Sequence, residues 1–254
     1  MKELVIDIGN SDIVLGYWDG ENKTPAVYRI NTRNITDNIN GREAYFEEAF
    51  RIMSVAYGTR SIISSVVPSV TQVIKQIIDR IVQTDSYLFD KDIYSKLPLE
   101  ILKPDEIGTD LVANALAAYG LYHQNCIVID FGTALSFTTV DLKGKILGVS
   151  IAPGIKTALA SLIQNAAQLH KVPLKMPDSS LGQNTEHAIQ AGILFGYNGL
   201  VRGIIDVQEQ ELGYKLTTIA TGGLSHIITP LNSRIDHYEP ALTLIGLKEG
   251  LQYI

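Results

Sequence analysis

The chain of 254 residues is poor in the features that mark several protein classes. It has one cysteine, Cys126, so it cannot form an internal disulfide, and a reducing compartment is expected. Its net charge is −6 and its Lys and Arg residues form no block, which argues against nucleic acid as a partner. No apolar run approaches the roughly 20 residues of a membrane span, and the N-terminus enters a strand without a signal peptide. We expect a cytoplasmic protein that binds neither membranes nor nucleic acid.

Familiar nucleotide and metal motifs are also absent from the sequence. There is neither a Walker A motif nor a Gly-x-Gly-x-x-Gly fingerprint, so neither a P-loop nor a dinucleotide-binding fold is indicated. Three histidines, His170, His187 and His237, are scattered without the spacing of metal ligands. The chemistry of this chain therefore has to be sought in other patterns.

One pattern occurs twice. Residues 5–11 read VIDIGNS and residues 128–134 read VIDFGTA, and a second apolar run follows each of them. Short apolar runs bounded by turn residues are typical of buried strands, so each copy predicts strand, tight turn, strand. The two acids, Asp7 and Asp130, are 130 − 7 = 123 positions apart, about half the chain. We therefore expect two similar halves with a cleft between them and one acidic hairpin from each half facing it.

Such a hairpin suits the binding of a phosphate together with a cation. Gly9 and Gly132 have no Cβ, so backbone N–H groups can approach an anion closely, and neighbouring Asn, Ser and Thr side chains add donors. The acids Asp7 and Asp130 would repel a bare phosphate unless a cation or its water shell lies in between. A single copy is equally compatible with a plain hairpin turn, whereas two copies on buried strands favour the phosphate interpretation.

Helical and strand periodicities alternate along the rest of the chain, which predicts an α/β protein. We place a domain boundary near residue 118, giving domains 1–118 and 119–254. Residues 31–41 and 90–105 are expected to be irregular. Besides the two hairpins, strands are predicted at 26–30, 61–67, 87–89, 145–151 and 216–220, and helices at 42–57, 69–82, 110–123, 154–169, 185–212 and 242–251.

Three further positions have both a structural and a functional interpretation. Asp110, after Gly108-Thr109, is either a helix cap or first-turn acid, or a general base beside a hydroxyl that becomes phosphorylated. Gly222-Gly223 ends a buried strand and is either a plain turn or a surface on which a nucleotide base or ribose lies. Thr185 precedes a helix, where it is either a cap or part of an anion site.

In their order, the motifs of the chain resemble those of the type III pantothenate kinases. The resemblance runs the whole length without large gaps, and it is the series that is specific, since each motif alone is weak. The motifs are 7-DIGNS-11, 64-SSVVP-68, 108-GTD-110, 130-DFGTA-134, 152-APG-154, 182-GQNT-185, 221-TGG-223 and 242-LTLIGL-247.

The resemblance implies a fold, an activity and a set of partners. The fold is that of the actin-like ATPases, with two ribonuclease-H-like domains. The activity is the phosphorylation of pantothenate by ATP, the first step towards coenzyme A. Mg²⁺ and a monovalent cation, K⁺ or NH₄⁺, are the implied cofactors, and the implied assembly is a homodimer.

The resemblance also implies roles for individual residues. Asp110 becomes the catalytic base, Asp130 holds the monovalent cation, and Asp7 holds Mg²⁺ through water. Pantothenate is placed near Gly108, Thr109, Asp110, Leu111 and Thr185. ATP is placed on the first hairpin, near the second and at the glycine pair, that is on Asp7, Ile8, Gly9, Asn10, Ser11, Asp12, Ile13, Val14, Thr133, Gly222 and Gly223.

Three positions depart from the family pattern, and all fall towards the acceptor side. Leu111 stands where the family usually has Arg, Ile101 where it usually has Tyr, and Val149 where it usually has Gly. An Arg could bind a carboxylate substrate through two hydrogen bonds, and Leu cannot. Three hypotheses follow: a pantothenate kinase in which another group replaces the Arg, a kinase of the same fold for another alcohol, and a nucleotide-binding regulatory paralogue without kinase activity.

Overall fold

The computed structural model describes residues 1–166, 168–228 and 233–254. The chain forms two compact units. The first unit comprises residues 1–117 together with residues 242–254, and the second comprises residues 118–241.

The first unit contains a five-stranded sheet with the order β3-β2-β1-β4-β5. β1, β2 and β3 are antiparallel neighbours, whereas β4 and β5 continue the sheet in parallel. The strands are β1 (Glu3–Ile8), β2 (Asp12–Trp18), β3 (Ala26–Asn31), β4 (Arg60–Ser65) and β5 (Tyr87–Leu88). The helices are α1 (Thr32–Thr36), α2 (Arg42–Met53), α3 (Pro68–Val82), α4 (Lys91–Tyr94) and α5 (Thr109–Tyr122), whose last turn belongs to the second unit.

The second unit repeats this plan. Its sheet has the order β8-β7-β6-β9-β10, with β6, β7 and β8 antiparallel and β9 and β10 parallel to β6 and to each other. The strands are β6 (Cys126–Phe131), β7 (Ala134–Val140), β8 (Ile146–Pro153), β9 (Thr217–Thr221) and β10 (His237–Tyr238). The helices are α6 (Ile155–Asn165), α7 (Thr185–Leu212) and α8 (Ser225–Ile228). The two predicted hairpins are therefore β1–β2 and β6–β7, and each starts the sheet of its own unit.

The last helix, α9 (Leu242–Gly250), packs on β1 and β4 and completes the first unit. Its Gly246 lies directly against the backbone carbonyl of Ala113 on α5, where even a methyl group would collide with the main chain. The sequence predicts residues 242–254 as part of the second domain, because periodicity shows that a helix has an apolar face but not which sheet the face covers. The units also divide at 117/118, next to the predicted boundary.

Element types agree with the predictions in most of the chain, and the differences are local. The segments expected to be irregular contain the short helices α1 and α4. Each starts at a side-chain cap, with Asn31 accepting from the Arg33 nitrogen and Asp90 accepting from the Asp92 nitrogen. The predicted helix 154–169 ends at Asn165, and Ala167 within that range lies outside the described residues.

The 28-residue helix α7 was predicted with its observed bounds. It is the one helix in the described part of the chain that is long and apolar enough to cross a membrane by length and composition. Its buried side chains, among them Leu194, Val201 and Ile205, belong to the apolar core of the second unit. The helix also buries Gln190 and Glu209, and both side chains are hydrogen-bonded.

At the end of α7, Glu209 joins three parts of the second unit. Its carboxylate accepts hydrogen bonds from Lys215 Nζ (2.6 Å), Arg234 (2.6 Å) and the Leu216 nitrogen (3.0 Å). Burial by itself would raise the pKa of Glu209, but these bonds outweigh it and lower the pKa to about 2. The carboxylate therefore ties the C-terminus of α7 to the start of β9 and to the segment before β10.

Replacing Glu209 by Gln should lower the free energy of unfolding at pH 7 by about 2–3 kcal/mol. A carboxyl whose pKa is lowered in the fold stabilises the protein above its unfolded pKa, 4.5, and this stabilisation is lost as the pH falls from there towards about 2. Chemical denaturation between pH 7 and pH 3 measures the effect, which should shrink as the pH falls. Glu211→Gln, an exposed position on the same helix, is the control; an equal effect of both variants would contradict the prediction.

Candidate active site

The turn of the first hairpin is fixed by hydrogen bonds within it and by hydrogen bonds from the start of α1. Within the turn, the Gly9 nitrogen donates to the Asp12 carbonyl (3.0 Å). Thr32, the first residue of α1, donates from Oγ1 to the Gly9 carbonyl (2.7 Å) and from its nitrogen to the Ser11 carbonyl (2.9 Å). The side of the turn formed by Asn10 and Ser11 is exposed. The turn is therefore preformed, its Gly9 N–H is used within the turn, and Asn10 and Ser11 are its exposed polar residues.

Below this turn, Asp7 on β1 takes part in a chain of three side chains. β1 and β4 run in parallel with Asp7 opposite Ser64, so that their side chains lie on the same face of the sheet. Ser64 Oγ lies 2.9 Å from Asp7 Oδ1 and 2.8 Å from Thr109 Oγ1. Thr109 is the first residue of α5, so the chain links the first hairpin to the helix that carries Asp110.

Asp110 lies in the first turn of α5 and is half-buried. Helix α5 begins one residue earlier, at Thr109, so of the two structural interpretations Asp110 is the first-turn acid and not the cap. Burial raises the pKa of its carboxyl, against the opposing effect of the hydrogen bond that Oδ1 accepts from the Leu111 nitrogen (2.9 Å). A carboxylate with a raised pKa is a better proton acceptor, as general-base catalysis requires.

The start of α5 is fixed from a second side by α9. Thr243 Oγ1 donates to Oδ1 of the fully buried Asn114 (2.8 Å), close to the contact of Gly246 with Ala113. With the bond from Thr109 to Ser64, these contacts hold the first turns of α5 on the sheet. The position of Asp110 is therefore set by the packing of the first unit.

The second hairpin places Asp130 beside the glycine pair. Asp130 on β6 is opposite Thr221 on β9, and Gly222 follows at once. Gly222 has φ +87°, and a side chain there would collide with Asp130 Oδ1 and with the Phe131 nitrogen, 2.7 Å from its Cβ. A plain turn would need only the positive φ. The close approach shows in addition that the Asp130 carboxylate lies directly against the glycine turn, where no larger residue would fit.

Thr133, in the turn of the second hairpin, is joined to the start of α6. Its carbonyl accepts from the Gly154 nitrogen (3.1 Å) and from Thr157 Oγ1 (2.7 Å). The motif containing Pro153-Gly154 thus supports this hairpin much as Thr32 supports the first. Its proposed contact with phosphate remains a prediction.

Thr185 is the first residue of α7 and is exposed. The helix is capped by Asn184, whose side chain accepts from the His187 nitrogen (2.9 Å), so the interpretation of Thr185 as the cap is wrong. Its side chain lies at a mainly apolar groove between α6 and α7, lined by Leu162, Leu169, Thr185, Ala188, Ile189, Gly192 and Ile193.

Comparison with known proteins decides the family. The family model described as type III pantothenate kinase matches residues 3–207. This chain belongs to that family. The type III pantothenate kinase of Treponema pallidum is 41% identical over 253 residues, covering 96% of this chain and 91% of that protein. The enzyme of the same name from Citrifermentans bemidjiense is 36% identical, with 96% of each chain covered.

Solved structures that are more distant in sequence share the fold. A ROK family glucokinase from Streptomyces griseus, in complex with glucose and AMPPNP, has a TM-score of 0.51 at 13% identity, covering 99% of this chain and 100% of that chain. The activator of 2-hydroxyisocaproyl-CoA dehydratase from Clostridium difficile, with bound ADPNP, has a TM-score of 0.53 at 9% identity, covering 99% and 96%. The predicted α/β class and actin-like ATPase fold are confirmed.

A type III pantothenate kinase uses ATP and a divalent metal, and the donor set of the chain fits such a metal. Among the described residues, no group of three or more His, Cys, Asp and Glu side chains is placed to hold a metal ion. Mg²⁺ keeps several waters and is usually held by one or two carboxylates together with substrate phosphates. A single carboxylate at the first hairpin, Asp7, is compatible with that mode of binding.

Two contacts of the candidate site have no counterpart in the sequence predictions. Ser64 was quoted as part of a motif without a role, although it lies between Asp7 and Thr109. Thr32 was placed in an irregular segment, although it holds the first hairpin turn. No local pattern reveals either contact, because each joins segments at least 23 residues apart and depends on the sheet register.

Proposed function

We propose that this chain transfers the γ-phosphoryl group of ATP to the hydroxyl of pantothenate, giving 4'-phosphopantothenate and ADP in the first step of coenzyme A biosynthesis. The match of residues 3–207 to the family model carries the proposal. The presence of Asp7, Asp110 and Asp130 supports an active enzyme over a nucleotide-binding regulatory protein, since binding alone does not require a general base.

Asp110 is the residue to which we assign proton transfer. The acceptor hydroxyl oxygen attacks the γ-phosphorus, the bond between that phosphorus and the bridging oxygen to the β-phosphate breaks, and ADP leaves. The hydroxyl proton passes to the Asp110 carboxylate, whose raised pKa favours that step. Gly108, Thr109 and Leu111 beside it are assigned to the pantothenate site, together with Thr185.

The hairpins are assigned to ATP. The segment from Asp7 to Val14 and Thr133 would bind phosphates, and Gly222-Gly223 would lie against the base or ribose. Asp7 would hold Mg²⁺ through water, and the bound ion would neutralise charge on the phosphates. In phosphoryl transfer most of the catalytic effect comes from such positioning and charge neutralisation.

Asp130 is assigned to a monovalent cation, K⁺ or NH₄⁺. The position of this carboxylate at the end of β6, directly against Gly222, supports the assignment. We further propose a homodimer and a cytoplasmic location, in keeping with the enzymes of this family.

Replacing Asp130 by Ala should raise the apparent KM for ATP and abolish activation by K⁺ or NH₄⁺. A carboxylate beside phosphates needs a cation to screen it, so without the carboxylate the cation has no anchor. Initial rates in K⁺, NH₄⁺ and Na⁺ measure the effect. Asp178→Ala, an exposed carboxylate of the same unit, should keep the activation. Equal rates of the parent protein in all three salts would refute the cation role.

A second candidate function is a kinase of the same fold for a less anionic alcohol. The observation that favours it is Leu111, which is 9% exposed where the family usually has an Arg that could bind a carboxylate. Ile101 and Val149 also depart from the family pattern, and both fall towards the acceptor side.

A coupled assay of ADP release, with and without pantothenate, tests the proposal. Turnover that depends on pantothenate is the expected result. Turnover that appears only with another alcohol would support the second candidate. Binding of ATP without turnover on any alcohol would overturn both and favour the regulatory paralogue.

A further inference from the structure

We propose that Ser64 is a positioning residue for the metal-bound phosphates of ATP: it fixes the Asp7 carboxylate and ties it to the start of the helix that carries Asp110. This inference rests on the proposed function. It comes from three side chains of the first unit that lie in hydrogen-bond contact although they belong to β1, β4 and α5.

The direction of the hydrogen bonds follows from the number of protons. A carboxylate only accepts, so Ser64 must use its one hydroxyl proton towards Asp7 Oδ1 (2.9 Å). The Ser64 oxygen then accepts from the Thr109 hydroxyl (2.8 Å). Thr109 therefore donates to Ser64 and Ser64 donates to Asp7, and reversing either bond would leave the carboxylate without a donor from Ser64. This ordered set is called the Ser64 relay below.

Burial makes the Ser64 relay rigid. Ser64 is fully buried, so no water competes for its hydroxyl, and the parallel register of β1 and β4 sets the spacing of the Asp7 and Ser64 backbones. Hydrogen bonds to a charged group are among the stronger ones in proteins. The Asp7 carboxylate therefore keeps one orientation before any ligand arrives.

A carboxylate held in one orientation affects the binding of nucleotide with a metal ion more than the binding of nucleotide alone. A carboxylate that can rotate has to be ordered each time a hydrated cation binds, and this cost falls on the affinity for the metal complex. Nucleotide that binds without metal does not need the carboxylate in one orientation. Loss of the Ser64 relay should therefore weaken the binding of Mg·nucleotide and leave the metal-free affinity unchanged.

The experiment is calorimetric titration with AMPPNP, in Mg²⁺ and in EDTA, without pantothenate. Ser64→Ala should weaken binding in Mg²⁺ by about ten-fold and leave binding in EDTA as in the parent. The control is Ser61→Ala on the same strand, where an equally buried serine is bonded to Ser86 Oγ (2.7 Å) on the other face of the sheet. The control should lose a similar amount of stability without changing either affinity.

A second variant tests the outer half of the Ser64 relay and does not depend on a fully buried substitution. Thr109→Val keeps the shape of the half-buried side chain and should weaken Mg·AMPPNP about two- to three-fold, with Thr109→Ser restoring the parent value. In the Ser64→Ala background the effect of Thr109→Val should vanish, because Thr109 acts through Ser64.

The Ser64 relay is overturned if Ser64→Ala behaves like Ser61→Ala, if it weakens binding equally in Mg²⁺ and EDTA, or if the effects of the Ser64 and Thr109 variants add. It is also overturned if the parent binds AMPPNP with the same affinity in both solutions, since no metal is then positioned. If the parent binds Mg·AMPPNP more tightly but shows no turnover with pantothenate, the proposed acceptor fails and the Ser64 relay stands.

Discussion

Asp110→Asn should reduce phosphoryl transfer by about 10²–10⁴-fold, the usual contribution of a general base, and leave the affinity for ATP within a few-fold of the parent. Asn has nearly the same shape but cannot accept the hydroxyl proton. Single-turnover rates with saturating ATP and pantothenate measure the chemical step, and titration with AMPPNP measures binding. If the variant turns over at nearly the rate of the parent, Asp110 is only a first-turn acid of α5 and not the general base.

Two further results separate a base from a structural acid. In the parent, kcat/KM should fall as the pH drops through the pKa of Asp110, which burial raises above the ordinary value for aspartate. A raised carboxyl pKa also means that the ionised form costs folding free energy once the pH exceeds it. At neutral pH, Asp110→Asn should therefore be at least as stable as the parent. Asp105→Asn, an exposed acid just before the same helix, should change neither rate nor pH profile.

Leu111→Arg should lower the apparent KM for pantothenate by about ten- to a hundred-fold, since a bidentate contact with a carboxylate contributes roughly 1.5–3 kcal/mol. The KM for ATP should stay the same. Leu111 is 9% exposed, so an Arg at this position would bury its guanidinium. Without bound pantothenate that group has no partner, and the variant should be less stable than the parent. Pantothenate should then raise its Tm more than it raises that of the parent.

The control for this experiment is Leu111→Met, which keeps size and neutrality and should change neither KM. If the Arg variant is destabilised and gains nothing towards pantothenate, the pocket suits another alcohol and the second candidate function is favoured. If it is as stable as the parent with an unchanged KM, Leu111 does not line the acceptor site.

The elements were predictable because their sequence signals are local. The hairpins around Asp7 and Asp130 consist of apolar runs separated by glycine turns, and the stripe of α3 and the full extent of α7 follow from helical spacing. The repeat also indicated two similar halves, which the matching strand orders of the two sheets show directly.

The parts that could not be predicted depend on which segments meet. The hydroxyl of Ser64 reaches Thr109, 45 positions later in the chain, only because β4 lies beside β1 and α5 starts above it. The sequence offers Thr185 as one possible cap of α7, but the cap is Asn184, because both are good capping residues and only the backbone decides between them. The packing of α9 is a third feature that could not be predicted, since an apolar helix face does not indicate which of the two sheets it covers.

The return of α9 to the first sheet has a consequence for the order of synthesis. The second unit is one continuous stretch, 118–241, so all of it is translated before α9. The first unit begins earlier but is completed later, because the helix that holds α5 through Thr243 and Gly246 is translated after the whole of the second unit. Until α9 has been added, the face of β1 and β4 that it covers is exposed to solvent. During synthesis the first unit is therefore the part of the chain that exposes apolar surface.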